Sequence, residues 1–114
     1  MTFYKIDNQI VLSDKPLSVG DPLIPNTTDA AGEKHVPQIT IRNNEVVVKV
    51  GSVEHPSLPE HYIEFILLET DKGIQMKWGK PGAVPTATFT IAEDETVLAA
   101  YEYCNLHGLW KAEV

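Results

Sequence analysis

Short apolar runs, separated by glycine, proline and other turn residues, recur along most of the chain. The clearest is Glu45-Val46-Val47-Val48-Lys49-Val50, which lies between Asn43-Asn44 and Gly51. Similar runs occupy residues 38–41, 61–70, 74–78 and 85–91. Because β-branched and aromatic residues favour strands and the turn signals are closely spaced, this pattern predicts an all-β sandwich or barrel.

The segment 94–103 fits this pattern less simply. It contains the helix formers Leu98-Ala99-Ala100, yet Tyr101 and Tyr103 alternate with Glu102 as they would along a strand. We predict a strand here, because the aromatic alternation agrees with the rest of the chain.

The first thirty residues differ from the remainder. Residues 3–6 and 9–12 are apolar enough to pair as strands, but the prolines and small polar residues that follow indicate a linker or a wrapping arm. We therefore predict an N-terminal arm, residues 1–30, and a single β-domain, residues 31–114.

Composition and charge narrow the class of protein. The 114 residues are 43% hydrophobic, as in one globular domain, and the formal net charge is −7. An acidic chain suits neither nucleic acid nor an anionic membrane, so we expect neither as a partner. The chain shows no signal peptide and no run of roughly 20 apolar residues, so a cytoplasmic location is predicted. An anionic substrate would need a local cation, for which Lys34 is the candidate.

All four histidines and the only cysteine fall in three compact motifs. These are Glu33-Lys34-His35-Val36-Pro37, the segment 51–61 with His55 and His61, and Cys104-Asn105-Leu106-His107-Gly108. Proline and glycine near each histidine fix the loop geometry that aims an imidazole ring. In the third motif, Asn105 is expected to support a tight turn, and Gly108 to allow the backbone that follows it. A thiolate together with imidazoles suits iron, copper or zinc.

Three other interpretations of these residues are possible. In a cupredoxin-like protein they would bind copper, but blue-copper sites use two histidines, one cysteine and a weak axial ligand that is often methionine. In a binding module they would hold structural zinc, which is almost always four-coordinate, whereas the chain offers five such donors and Glu33-Lys34 beside them. In a plain β-domain they would be structural, and the residues alone leave this choice open.

The motifs Glu-Lys-His-Val-Pro, Val-Gly-Ser-Val-x-His-Pro, Glu-His-Tyr-Ile-Glu and Tyr-Cys-Asn-Leu-His-Gly-x-Trp-Lys occur in this order between about residues 29 and 111. Together they resemble the superoxide reductase family, the iron domain of desulfoferrodoxins and neelaredoxins. The resemblance implies a seven-stranded immunoglobulin-like β-sandwich or barrel. It implies an oxidoreductase that reduces superoxide to hydrogen peroxide and is re-reduced by an external, rubredoxin-type donor. It also implies a homodimer, with a tetramer as the alternative.

The resemblance further implies one iron per chain, cycling between Fe(II) and Fe(III). Its ligands would be one axial thiolate and four equatorial imidazoles: Cys104, His35, His55, His61 and His107. His107 would bind through Nδ1 and the other rings through Nε2. The sixth position would be open to superoxide in the reduced state and filled by Glu33 in the oxidised state, with Lys34 nearby. Backbone N–H groups near Leu106 and His107 would hydrogen-bond the sulfur.

The chain also departs from the family pattern. Larger relatives carry an N-terminal desulforedoxin-like segment whose cysteines hold a second iron. Residues 1–30 resemble a degenerate remnant of that segment, and because they contain no cysteine the second iron should be absent. Ser57 stands where the family often has methionine, and Phe65 where tryptophan is common. Neither is a ligand position.

Overall fold

Strands make up nearly all of the regular structure. A computed structural model describes residues 1–114. The elements are, in chain order, β1 Thr2–Ile6, β2 Gln9–Ser13, β3 Asp21–Leu23, α1 Gly32–His35, β4 Pro37–Arg42, β5 Glu45–Val50, β6 Ile63–Thr70, β7 Gly73–Trp78, β8 Thr86–Thr90, β9 Val97–Cys104 and β10 Gly108–Glu113. No helix is long and apolar enough to cross a membrane.

The domain is a sandwich of two antiparallel sheets. One sheet has the strand order β10-β9-β6-β7 and the other β4-β5-β8, which together give the expected seven strands. The alternation read from the sequence places Val46, Val48 and Val50 of β5 inside, where they are fully buried. They pack against residues of β6 and β9, including Leu68 and Ala100, so the core lies between the two sheets. The all-β sandwich prediction is therefore confirmed, and so is a strand within residues 94–103.

A third sheet covers the outer face of the four-stranded sheet. It has the order β2-β1-β3, and the predicted pairing of β1 with β2 is confirmed. Phe3 of β1 is buried against Phe65 and Tyr101 in a second apolar cluster. The short strand β3 was not expected, because it contains Pro22. Proline is tolerated there because β3 lies at the edge of its sheet.

Replacing Phe3 by alanine should lower the free energy of unfolding by about 3–5 kcal/mol, the usual cost of deleting a buried aromatic ring. Phe3 is only 3% exposed. Val19→Ala serves as the control, since Val19 is 62% exposed and exposed substitutions change stability by less than about 0.5 kcal/mol. Urea unfolding followed by circular dichroism measures both. A Phe3→Ala protein with the wild-type midpoint would show that the N-terminal sheet adds no stability to the domain.

Candidate metal centre

Strand ends bring the three sequence motifs together. The start of β4 pairs with the end of β5, through Pro37 and Val50, so His35 lies beside the loop that follows β5. That loop carries His55 and His61 and leads into β6, whose first residue, Ile63, pairs with Cys104 at the end of β9. The turn after Cys104 then carries His107 into β10. As a result, five donor atoms, one each from His35, His55, His61, Cys104 and His107, lie within 4.8 Å of one another.

The four imidazole rings form a closed square. Neighbouring ring centroids are 4.8 Å apart for His35 and His55 and 4.6 Å apart for His55 and His61. They are 5.0 Å apart for His61 and His107 and 4.9 Å apart for His107 and His35. Each ring is nearly perpendicular to its neighbours, with interplanar angles of 74° to 85°. The sulfur of Cys104 lies 3.4 Å from Nε2 of His55 and 3.9 Å from Nδ1 of His107.

Hydrogen bonds on the outer side of two rings decide where their lone pairs point. Nδ1 of His35 lies 2.7 Å from the carbonyl oxygen of Ala31, and Nδ1 of His55 lies 2.7 Å from that of Pro56. A carbonyl oxygen only accepts, so both Nδ1 atoms carry the proton. In the neutral rings the two Nε2 lone pairs therefore face each other across 3.2 Å.

Protonation of one ring would relieve the repulsion between the two lone pairs, but burial opposes it. Burial lowers the pKa of His55 to about 4, although its hydrogen bond to Pro56 acts in the opposite direction. Nε2 of His61 is also buried and has no hydrogen-bond partner. Facing lone pairs and an unpartnered buried nitrogen are both satisfied by a cation held between them, so this donor set fits a metal ion.

Cys104 completes the donor set as a fully buried thiol. Burial raises the pKa of this thiol, and hydrogen bonds from the backbone N–H groups of Leu106 and His107 oppose that rise. Because metal binding displaces a thiol proton, a bound cation would keep Cys104 as the thiolate.

Glu33 and Lys34 lie on the short helix α1 and are both exposed. The Glu33 carbonyl accepts a hydrogen bond from the N–H of Val53, with an N to O distance of 2.9 Å. Gly51 permits this contact, since a Cβ on Gly51 would sit 2.5 Å from the same oxygen. Burial is the main cause of the lowered pKa of His35 and His61, and the positive charge of Lys34 adds to it.

Two residues next to the centre were not singled out from the sequence. Trp110 stacks on the His35 ring at 5.0 Å, and its Nε1 donates a hydrogen bond to the carbonyl of His107. Glu102 is fully buried and neither of its carboxyl oxygens has a partner. Burial raises the pKa of this carboxyl well above its usual range. The strand alternation of β9, which puts Glu102 on the same face as Cys104, is the signal that could have found it.

Comparison with known proteins agrees with this arrangement. The family model for desulfoferrodoxin matches residues 27–113. The chain belongs to the desulfoferrodoxin family. It is 50% identical to a desulfoferrodoxin of Clostridium acetobutylicum over 92 residues, covering 81% of this chain and 71% of that protein. It is 36% identical to a superoxide reductase of Thermococcus kodakarensis, covering 75% of this chain and 90% of that protein.

A solved structure shares the whole architecture. The superoxide reductase from Treponema pallidum superposes with a TM-score of 0.88 at 39% identity, covering 99% of both chains. The family resemblance stated from the motifs is thus confirmed. Of the two family departures, Phe65 lies in the outer apolar cluster with Phe3, and Ser57 donates a hydrogen bond to the carbonyl of Lys80.

The metal-free protein should become less stable as the pH falls from about 6.5 to about 4, because the folded state keeps His55 neutral over this range. The unfolded histidine binds its proton near pH 6.5, and the folded one only near 4. Between these values the unfolded state binds more protons, so acid favours unfolding, by about 1.4 kcal/mol per pH unit. Glu64 and Glu102, whose pKa values burial raises, act in the opposite sense.

The contribution of His55 is therefore isolated by comparison with His55→Gln. Urea midpoints of both metal-free proteins are measured from pH 4 to 7. We expect wild type to lose stability relative to the variant on acidification. Parallel curves would contradict the lowered pKa of His55.

Proposed function

We propose that the chain is a superoxide reductase with a mononuclear iron centre whose ligands are His35, His55, His61, His107 and Cys104. The single observation that carries this proposal is the square of imidazoles, with facing lone pairs, beside one buried thiol. Membership of the desulfoferrodoxin family and the superoxide reductases among its relatives support it.

Iron fits this donor set better than zinc or copper. Structural zinc takes four ligands, and a blue-copper site uses only two histidines. Five donors leave a six-coordinate metal one position for a substrate. When bound, iron supplies one electron and acts as a Lewis acid toward an anionic substrate. One electron and two protons convert superoxide to hydrogen peroxide, and an external donor replaces the electron.

The charged residues of α1 have complementary roles in this proposal. Lys34 supplies the positive charge that draws superoxide to an otherwise acidic chain, and it can hydrogen-bond the product. Glu33 would supply a carboxylate ligand to the oxidised metal. The hydrogen bond from Val53 to the Glu33 carbonyl anchors the helix while both side chains stay exposed.

Cys104 would be the thiolate ligand of the iron. Its donation would raise electron density on the metal, as a thiolate does in P450 haem. The hydrogen bonds from the N–H groups of Leu106 and His107 moderate that donation.

The remaining assignments are also proposals. Residues 1–30 are a degenerate desulforedoxin-like segment without cysteine that covers the outer face of the iron domain, residues 31–114. The donor is of the rubredoxin type, the assembly is a homodimer and the location is cytoplasmic. Reduction of the ferric protein by a purified rubredoxin, and the mass of the protein in solution, test the first two.

Cys104→Ser should abolish the reaction with superoxide and the thiolate-to-iron charge-transfer band while leaving a folded protein. Serine has nearly the shape of cysteine, but its hydroxyl resists deprotonation and is a poor donor to iron. Pulse radiolysis measures the rate, and absorption spectroscopy and elemental analysis measure the centre. Wild-type protein that takes up stoichiometric zinc and no iron under iron-replete conditions would refute the proposed function. A serine variant with the band and a near-native rate would refute Cys104 as the thiolate ligand.

Lys34→Ala should slow the reaction with superoxide by about tenfold at low ionic strength, the lower end of the effect of electrostatic steering. The wild-type rate should fall as salt is added, and the variant rate should depend less on salt. Lys15→Ala is the matched control, because it removes the same charge from an exposed position in the N-terminal segment. If both variants react equally fast, net charge and not the position of Lys34 governs the rate.

A further inference from the structure

The four imidazoles are not held in the same way. A metal-binding histidine usually donates its outer ring N–H to a protein acceptor, which fixes the orientation of the ring. His35 and His55 follow this rule through the carbonyl groups of Ala31 and Pro56. His61 does not, because its outer nitrogen, Nδ1, forms no hydrogen bond to the protein. The position of its ring is therefore set by its backbone and by packing against the rings of His55 and His107.

Asn105 holds that backbone on both sides of His61. Its Oδ1 accepts a hydrogen bond from the N–H of Tyr62 at 2.9 Å, and its Nδ2 donates one to the carbonyl of Glu60 at 3.0 Å. Its own N–H donates to the carbonyl of Tyr62 at 3.3 Å. The side chain thus bridges to the opposite loop, whereas the sequence suggested that it would support its own turn.

The loop that carries His61 is closed without Asn105. Leu58 and His61 exchange two backbone hydrogen bonds, with N to O distances of 2.9 and 3.0 Å. The contacts of Asn105 therefore add something different. They connect the His61 loop to the turn that begins at Cys104 and carries His107. These are the two donors nearest to Asn105 in the sequence.

We propose that Asn105 is a positioning residue of the metal centre, which fixes the distance between His61 and the turn carrying Cys104 and His107. This inference rests on the proposed ligand set. In it, the asparagine of the Cys-x-x-His motif positions His61, a ligand that lies on another loop. It also explains how His61 keeps its place in the square without a hydrogen bond to its ring.

The test measures metal affinity and not catalysis. Asn105→Ala protein, stripped of metal, is titrated with Co(II) against a competing chelator, and the thiolate-to-cobalt charge-transfer band is recorded. We expect affinity to fall by about 10- to 100-fold, the usual range for residues that orient a metal ligand, and the band to shift.

Asn26→Ala is the matched control. Asn26 makes the same pair of side-chain bonds, donating to the carbonyl of Lys111 at 3.0 Å and accepting from its N–H at 2.8 Å, but it flanks no donor residue. It should lower the urea midpoint of the metal-free protein while leaving cobalt affinity and the band unchanged.

Asn105→Asp separates positioning from charge. Aspartate keeps the acceptor for Tyr62, loses the donor to Glu60 and adds a negative charge near the bound cation. Positioning predicts weaker cobalt binding than in wild type, whereas an effect of charge alone predicts tighter binding. Wild-type affinity and an unshifted band in Asn105→Ala, or tighter binding in Asn105→Asp, would overturn the role of Asn105 alone. Wild-type protein that binds neither cobalt nor iron would overturn the proposed centre together with it.

Discussion

Imidazole lone pairs directed at a common point are the constraint on which the rest of this structure depends. The Nε2 atoms of His35 and His55 face each other at 3.2 Å, with both protons held on the outer side by carbonyl groups. Such a contact is unfavourable until a cation occupies the space between the rings. The rest of the folded chain must therefore hold the donors in place. Metal binding then increases the stability of the folded state.

The sandwich core holds the donors in place. Cys104 is both a proposed ligand and a member of the main apolar cluster, so the centre is built directly on the core. β9, which ends at Cys104, is paired on both sides, by β6 and by β10. Gly51 lets α1 lie against the loop after β5. Trp110 stacks on the ring of His35 and so supports it. Cys104 thus lies at a strand end, whereas His55 and His61 lie on the loop between β5 and β6.

Much of this could be predicted from the sequence, for identifiable reasons. The strands followed from local alternation, and the donor residues from their clustering in proline- and glycine-rich motifs. What could not be predicted depends on partners distant in the chain. Pro22 argues against a strand until its place at a sheet edge, opposite Tyr4, is known. Asn105 looks like a residue that supports its own turn until the loop beside it, whose Glu60 is 45 residues away in sequence, is in place.

The alternation of β9 has a consequence for how the centre forms. Along this strand Tyr101 and Tyr103 face the N-terminal sheet, and Glu102 and Cys104 face the sandwich core. A slip of one residue against β6 and β10 would exchange these faces, placing a phenol where the thiol belongs and burying two tyrosine hydroxyls in the core. A chain with that misaligned strand would lack the sulfur donor. A bound cation would therefore stabilise the correct register of β9 relative to the shifted one.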